Sequence, residues 1–268
     1  MEKATISKLR IYPVKSLGHI ELEEAEVGIH SLKNDRLFAM VDDFGRYVNG
    51  KRTNMVNQLQ SEYDLPNETI WLSDKNGGEP IAFELRVGNE QLDAYLSDFF
   101  DISLHLVQSE QGELMDIPLQ SSLTVVSKAS LESLQKDIEE YSLENMRLRF
   151  RSNVELEGID AFWEEKLFYK PGFGVRFKMG EVEMIGVSPR ARCNVPPQNP
   201  ETGEMDRAFA KNMMKSRKGT LSDSSNLSDF GNSLYYLTVN VYLPKTELGK
   251  QLSFRDEVKI LEPVQLRS

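Results

Sequence analysis

The chain is poor in the residues from which most metal and catalytic centres are built. Of 268 residues, one is cysteine and three are histidine. A lone cysteine forms no internal disulfide, and it cannot assemble a cysteine-rich zinc site or a four-thiolate iron–sulfur cluster. His19, His30 and His105 are scattered, which argues against a histidine-based metal site. No G-x-S-x-G elbow, Walker A loop, H-E-x-x-H or C-x-x-C occurs, so the usual hydrolase, nucleotide and zinc signatures are missing. Long apolar runs are absent too: nothing approaches the roughly 18 residues of a transmembrane helix. The opening MEKATISKLRIYPVKSLG lacks the apolar core of a secretory signal. Positive charge is in deficit, with 32 Lys and Arg against 42 Asp and Glu and a net charge of −10. That excludes a general nucleic-acid or anionic-membrane surface but leaves room for a local basic pocket. A single thiol without a signal sequence predicts a reduced, cytoplasmic setting.

What is present reads as a mainly β (α+β) protein, with two β-barrel-like halves and a few packing helices. Hydrophobic residues make up 40% of the chain, enough for a substantial core at the upper edge of one domain or for two. Short strands are predicted at Ile6–Val14, Ile20–Glu23 and Leu37–Val41, the last forming a hairpin with Arg46–Val48 across Asp42-Asp43-Phe44-Gly45. Ile70–Leu72 and Ile81–Leu85 flank a turn at Asn76-Gly77-Gly78. Strands resume at Val154–Leu156, Val175–Phe177, Val182–Val187 and Tyr235–Leu243, and a last one follows Phe254–Val258. One helix is predicted from an Asn89 cap, with Leu92, Leu96 and Phe99 on one face. A second runs from Ser127 to Tyr141 with Leu131, Leu134 and Ile138 inward, and a third covers Asp206–Lys218. Gly219–Ser233, rich in Ser, Asn, Asp and Gly, reads as a mobile loop. The composition near Gly112–Pro118 divides the chain into residues 1–112 and 113–268.

The cysteine sits in Ser188-Pro189-Arg190-Ala191-Arg192-Cys193-Asn194-Val195-Pro196-Pro197. It can be a buried small hydrophobe, a nucleophile, or a single soft ligand to a metal-containing cofactor. The flanking guanidiniums favour thiolate over thiol, and the thiolate is the reactive and metal-binding form. Other cations stand beside small polar residues at turns: Lys15-Ser16, Asn34-Asp35-Arg36 and Arg151-Ser152-Asn153. Lys and Arg at strand ends, with hydroxyls and turn N–H groups, are the groups that bind phosphate. Each alone is ordinarily a solvated surface charge; only a shared pocket would make them a site.

Several stretches agree with one family in order along the chain. They are Ile11-Tyr12-Pro13-Val14-Lys15-Ser16, Asn34-Asp35-Arg36-Leu37-Phe38, Arg149-Phe150-Arg151-Ser152-Asn153-Val154, Gly180-Glu181-Val182-Glu183, and Arg192-Cys193 followed by Asn199-Pro200-Glu201-Thr202-Gly203-Glu204. The chain resembles the MOSC family, the domain shared by molybdenum-cofactor sulfurases and amidoxime-reducing proteins. The resemblance implies an N-terminal β-barrel domain over 1–112 and a MOSC domain over 113–268. It also implies a molybdenum–pyranopterin cofactor with Cys193 as the metal ligand and catalytic residue, a role suited to a soft thiolate. Lys15, Ser16, Arg36, Arg151 and Asn153 would hold the pterin and its phosphate, with Arg192 beside the ligand and Ser121 or Ser122 as a further polar contact. Pyridoxal phosphate binding is a further association of the family. Ser152 stands where the family usually has Pro, Asn194 and Val195 where it often has threonines, and Asn199 where it has Asp. The activity implied is reduction of N-hydroxylated compounds. A separate reductase partner would supply electrons, because the chain carries no flavin, haem or iron–sulfur motif of its own. The alternative is a cofactor carrier or sulfur-transfer protein, with Cys193 bearing a persulfide or only docking the pterin.

Overall fold

A computed structural model describes residues 3–117, 121–138, 141–221, 226–231 and 233–266. Its strands in chain order are β1 (Thr5–Ile11), β2 (Ile20–Leu22), β3 (Glu24–Glu26), β4 (Phe38–Asp42), β5 (Leu59–Asp64), β6 (Thr69–Asp74), β7 (Ile81–Glu84) and β8 (Leu104–Gln108). Then follow β9 (Leu123–Ser127), β10 (Val154–Glu157), β11 (Phe173–Met179), β12 (Val182–Ala191), β13 (Tyr236–Tyr242), β14 (Gln251–Ser253) and β15 (Val258–Gln265). The helices are α1 (Glu90–Phe100), α2 (Lys128–Asp137), α3 (Leu143–Phe150) and α4 (Phe209–Thr220).

The central element is an eight-stranded sheet in the order β15-β11-β12-β13-β9-β10-β1-β2. Its pairings are antiparallel except β9 with β10. Beneath it Ile6, Leu9, Val125, Leu156, Phe177 and Val241 form one apolar cluster. A second sheet, β5-β6-β7, and the pair β4-β8 enclose Met40, Leu72, Leu92 and Leu106. The third cluster lies where α2, α3 and α4 meet, around Leu134, Phe150, Phe209 and Met213. The mainly β architecture with few helices is the one expected. None of the sheets closes into a barrel among the described residues, because β15 and β2 end the large sheet as open edges.

Helix starts follow side-chain capping. Asn89 accepts from the N–H groups of Gln91 and Leu92, Ser127 from Ser130 N–H, and Ser142 from Asn145 N–H. Leu92, Leu96 and Phe100 form the buried line of α1, one residue beyond the expected Phe99. α2 ends at Asp137, and residues 139–140 of the predicted span lie outside the described residues. Of the predicted loop over 219–233, residues 222–225 and 232 also lie outside them, as does the Pro118 end of the proposed boundary.

The expected hairpin forms: Asp42 N–H donates to Arg46 O at 3.0 Å, Val48 N–H donates to Met40 O at 2.9 Å, and Val41 bridges Tyr47, while β4 pairs along its length with β8. One expectation is corrected. Phe150 and Arg151, read as lying at a strand end, are instead the last residue of α3 and its C-cap. Arg151 adopts the left-handed conformation there, with φ 53° and ψ 45°, and β10 begins only at Val154.

Candidate functional site

Those backbone features converge on one cleft. The α3 C-cap turns Arg151 back toward the first 20 residues, where its guanidinium donates to Leu17 O at 2.6 Å. Tyr12, fully buried at the end of β1, lies between two cations: Arg36 at 4.4 Å and Arg151 at 4.1 Å from its ring centroid. These are cation–π distances, and they fix both guanidiniums at the cleft floor. Asp35 holds the same corner, accepting from Tyr12 N–H at 2.8 Å and from Arg36 at 2.7 Å.

The opposite wall comes from the end of β12. Its pairing with β13 is irregular at Gly186/Ser188 and again at Pro189/Ala191. Proline has no N–H to give the ladder, so the strand bulges there. Across the bulge Thr238 takes φ 71°, rare for a β-branched residue. The ladder ends with Arg192 N–H donating to Tyr235 O at 3.0 Å, and Cys193 follows at the rim with its side chain exposed. The inert core-filler role for this thiol is thereby excluded.

Eight of the residues singled out from the sequence line this cleft: Lys15, Ser16, Arg36, Ser121, Arg151, Asn153, Arg192 and Cys193. The cavity volume is about 240 Å³. Not all present free polar atoms. Asn153 is 1% exposed and spends its amide on the backbone, donating to Arg10 O at 3.0 Å and accepting from Thr124 N–H at 3.2 Å. Ser121, also buried, donates to Leu123 O at 3.3 Å. Ser16 Oγ accepts from Gly50 N–H at 3.3 Å.

Arg190, noted beside Cys193, lines the cleft too, and the fold adds three charged residues that sequence reasoning left out: Lys51, Asp116 and Arg149. Arg190 and Arg149 sit within stretches that already carried signal; Lys51 and Asp116 lie in turns without any motif. The lining then holds seven cations (Lys15, Arg36, Lys51, Arg149, Arg151, Arg190 and Arg192) and one carboxylate, Asp116. In a chain of net charge −10, this is a concentrated positive field.

Burial pushes the Arg151, Arg190 and Lys15 cations toward the neutral form, with Asp116 opposing the shift at the last two. Burial likewise lowers Arg192, helped by repulsion from Arg190 and opposed by Cys193, to about 10. Arg192 donates one bond to Phe150 O at 3.1 Å, while its Nε and the other terminal nitrogen are buried without a partner. One terminal nitrogen of Arg149 is in the same state, although that side chain also donates to Pro196 O and Gln198 O. Unpartnered buried guanidinium N–H groups are costly, and an anionic ligand in the cleft would satisfy them.

The segment Gln198–Glu204 serves another purpose: it ties the stretch after Cys193 to residues 54–75. Asn54 donates to Gly203 O at 3.0 Å, Asn57 to Gln198 Oε1 at 2.9 Å, and Lys75 to Pro200 O at 3.0 Å. Gly203 has φ 77° and lies so close to Asn54 O that an added Cβ would approach it to 2.8 Å, which accounts for glycine at this position.

Comparison with known families decides the identity of this arrangement. A model described as the MOSC N-terminal beta barrel domain matches residues 3–113, and one described as the MOSC domain matches residues 101–233. The chain belongs to the MOSC family. Human molybdenum cofactor sulfurase is 22% identical over 261 residues, covering 80% of this chain, but the chain spans only 28% of that relative's length. Mitochondrial amidoxime reducing component 2 from Bos taurus is 25% identical over 278 residues, covering 87% of this chain and 78% of the relative. The crystal structure of the YUAD protein from Bacillus subtilis aligns over 99% of this chain and 97% of its own, with a TM-score of 0.43 at 10% identity. No described helix of this MOSC protein is long and apolar enough to cross a membrane.

Proposed function

We propose that this MOSC protein binds a molybdenum–pyranopterin cofactor in the cationic cleft and reduces N-hydroxylated compounds with electrons from a separate reductase protein. The observation that carries the reading is the convergence of seven cations, two of them with unpartnered buried guanidinium nitrogens, beneath an exposed Cys193. That set fits the group: cations for an anionic pterin phosphate and a soft thiolate for the metal. Arg36, Arg151 and Lys15 would hold the anionic end, Arg192 and Arg149 would donate to it, and Cys193 would ligate the metal. When bound, such a cofactor supplies a metal able to accept an oxygen atom and to exchange electrons. The overall change breaks the N–O bond, consumes two electrons and two protons, and releases the oxygen as water. Arg190 and Arg192 precede Cys193, and the Phe150 ring packs against the Arg192 guanidinium, its centroid 5.2 Å from the guanidinium carbon.

Metal analysis of purified protein, combined with turnover of an amidoxime using a chemical reductant, tests the reading. Stoichiometric molybdenum with turnover is expected, both lost in Cys193→Ala. Full molybdenum and activity in Cys193→Ala would refute the ligand assignment. The exposure of Cys193 also suits the second reading, a cofactor carrier or sulfur-transfer protein. Bound pterin with no reduction of any N-hydroxylated compound would favour that one.

A further inference from the structure

Asp116 is the single carboxylate among the lining residues of a cleft otherwise walled by cations. It contacts three of them: Lys15 Nζ at 2.8 Å, Lys51 Nζ at 3.4 Å and an Arg190 terminal nitrogen at 3.4 Å. Burial disfavours its charge, but the three cations outweigh burial and hold the carboxyl well below the usual carboxylate range. Those cations come from three separate parts of the chain, and they meet only at this carboxylate.

The segment carrying Asp116 is neither strand nor helix from Ser109 to Ile117. His30 packs against it. Its ring lies against Gly112, where an added Cβ would come within 2.0 Å of the ring, and its Nε2 is 3.2 Å from Ser121 O. The described part of the segment borders two cavities. The first is the cleft; the second, of about 200 Å³, lies behind and includes His30, Gly112 and Asp35 in its lining. Met115 lines both. No strand holds residues 109–117 at the cleft; besides the Asp116 contacts, Lys15 Nζ donates to Leu114 O at 2.7 Å.

We infer that Lys15, Lys51 and Arg190 form a seat for an oxyanion of the phosphate class, and that the Asp116 carboxylate is an internal competitor which the ligand displaces. A phosphate carries more charge than a carboxylate and offers additional acceptor oxygens to the same donors. It gains on Asp116 by charge, while Asp116 gains on it by being tethered. The carboxylate thus sets a threshold: weakly charged ligands do not displace it, and dianions do. The inference rests on the proposed function only in taking the cleft as a ligand site. The oxyanion can belong to the cofactor or to the substrate.

The test is calorimetric titration of inorganic phosphate into protein shown by metal analysis to lack molybdenum, and separately into loaded protein. In the first, Asp116→Asn is expected to bind phosphate at least tenfold tighter than wild type, and adding Lys51→Ala is expected to remove most of that gain. Equal affinity of wild type and Asp116→Asn would overturn the inference, as would a gain that survives loss of Lys51. Wild-type protein offers a readout that needs no substitution: saturating phosphate should speed amide exchange of residues 112–117, and unchanged exchange there would sink the displacement. Loaded protein separates the sources. Loss of phosphate binding assigns the seat to the cofactor's phosphate, and retained binding that competes with substrate assigns it to an anionic substrate group. Absence of molybdenum or turnover would defeat the oxidoreductase reading while leaving the phosphate titration intact.

Discussion

Asn153 offers the sharpest separation between holding the fold and holding a ligand. It lines the cleft, yet its amide joins three strands: it sits before β10, donates to Arg10 O in β1, and accepts from Thr124 N–H and Oγ1 in β9. Replacing Asn153 with Ala would leave the Arg10 carbonyl and the Thr124 N–H unpaired at a site 1% exposed. An unsatisfied buried backbone group costs about 1–3 kcal/mol, so the two together destabilise by about 3 kcal/mol or somewhat more. For a chain of this size each kcal/mol lowers the Tm by roughly 2–4 °C, which gives a fall of about 6–12 °C. Thermal unfolding of cofactor-free protein, followed by near-ultraviolet circular dichroism, measures it directly. A Tm within about 2 °C of wild type, with cofactor retention lost, would show that the amide serves the ligand and that the strand-joining account is wrong.

Three further outcomes are expected. Cys193 is the only thiol and is exposed, so iodoacetamide should label the protein once without unfolding it, and bound cofactor should protect it; mass spectrometry reads both. Glu164 is buried, accepts from Ser130 Oγ at 2.9 Å, and has its other oxygen unpartnered. Burial lifts its pKa from 4.5 to about 7. The folded state therefore holds this proton more tightly than the unfolded chain, and the contribution to stability is full below about pH 4.5 and lost as the pH rises to about 7. Glu164→Gln should raise stability at pH 8 by up to about 3 kcal/mol and by under about 0.5 kcal/mol at pH 4.5; equal gains at the two pH values in urea titrations would contradict it. Gly186→Ala would place a Cβ 1.7 Å from Leu167 O, an overlap that only backbone movement relieves, so a loss of about 3 kcal/mol is expected, with loss of soluble expression as the stronger form.

The strands and helices with local signals were legible from the sequence. Asn89 and Ser127 cap helices because their oxygens accept the first free N–H groups, and both positions could be identified without coordinates. β6 and β7 flank Asn76-Gly77-Gly78 as a local hairpin should. Distant partners were not legible. β4 keeps its local hairpin bonds to Arg46–Val48 and also pairs with β8, about 65 residues later in sequence, across an intervening sheet and helix, which nothing in either strand announces. α3 was missed because its eight residues bury only part of one face, so that its Phe150-Arg151 end reads as a strand entry. At the site, the cations were legible through residue type and family resemblance. Asp116 was not, because its importance comes entirely from three cations that approach it from elsewhere in the fold.

The placement of β1 inside the large sheet, one strand in from its edge, has a consequence for biosynthesis. β1 takes β2 on one side and β10 on the other, and its backbone also bonds residues 255–258: Ile6 N–H donates to Asp256 O at 3.0 Å, Arg255 N–H to Ile6 O at 2.9 Å, and Val258 N–H to Ala4 O at 2.9 Å. On a ribosome adding roughly 5–20 residues per second, the interval between making β1 and β10 is about 7–30 s. Over that time this core-forming strand has only the three-residue β2 to pair with. Its apolar residues, Ile6, Leu9 and Ile11, stay open to other nascent chains until the far end of the sheet arrives. Folding of this protein is thus set by late, long-range closure, and its yield in a cell depends on what shelters that first strand.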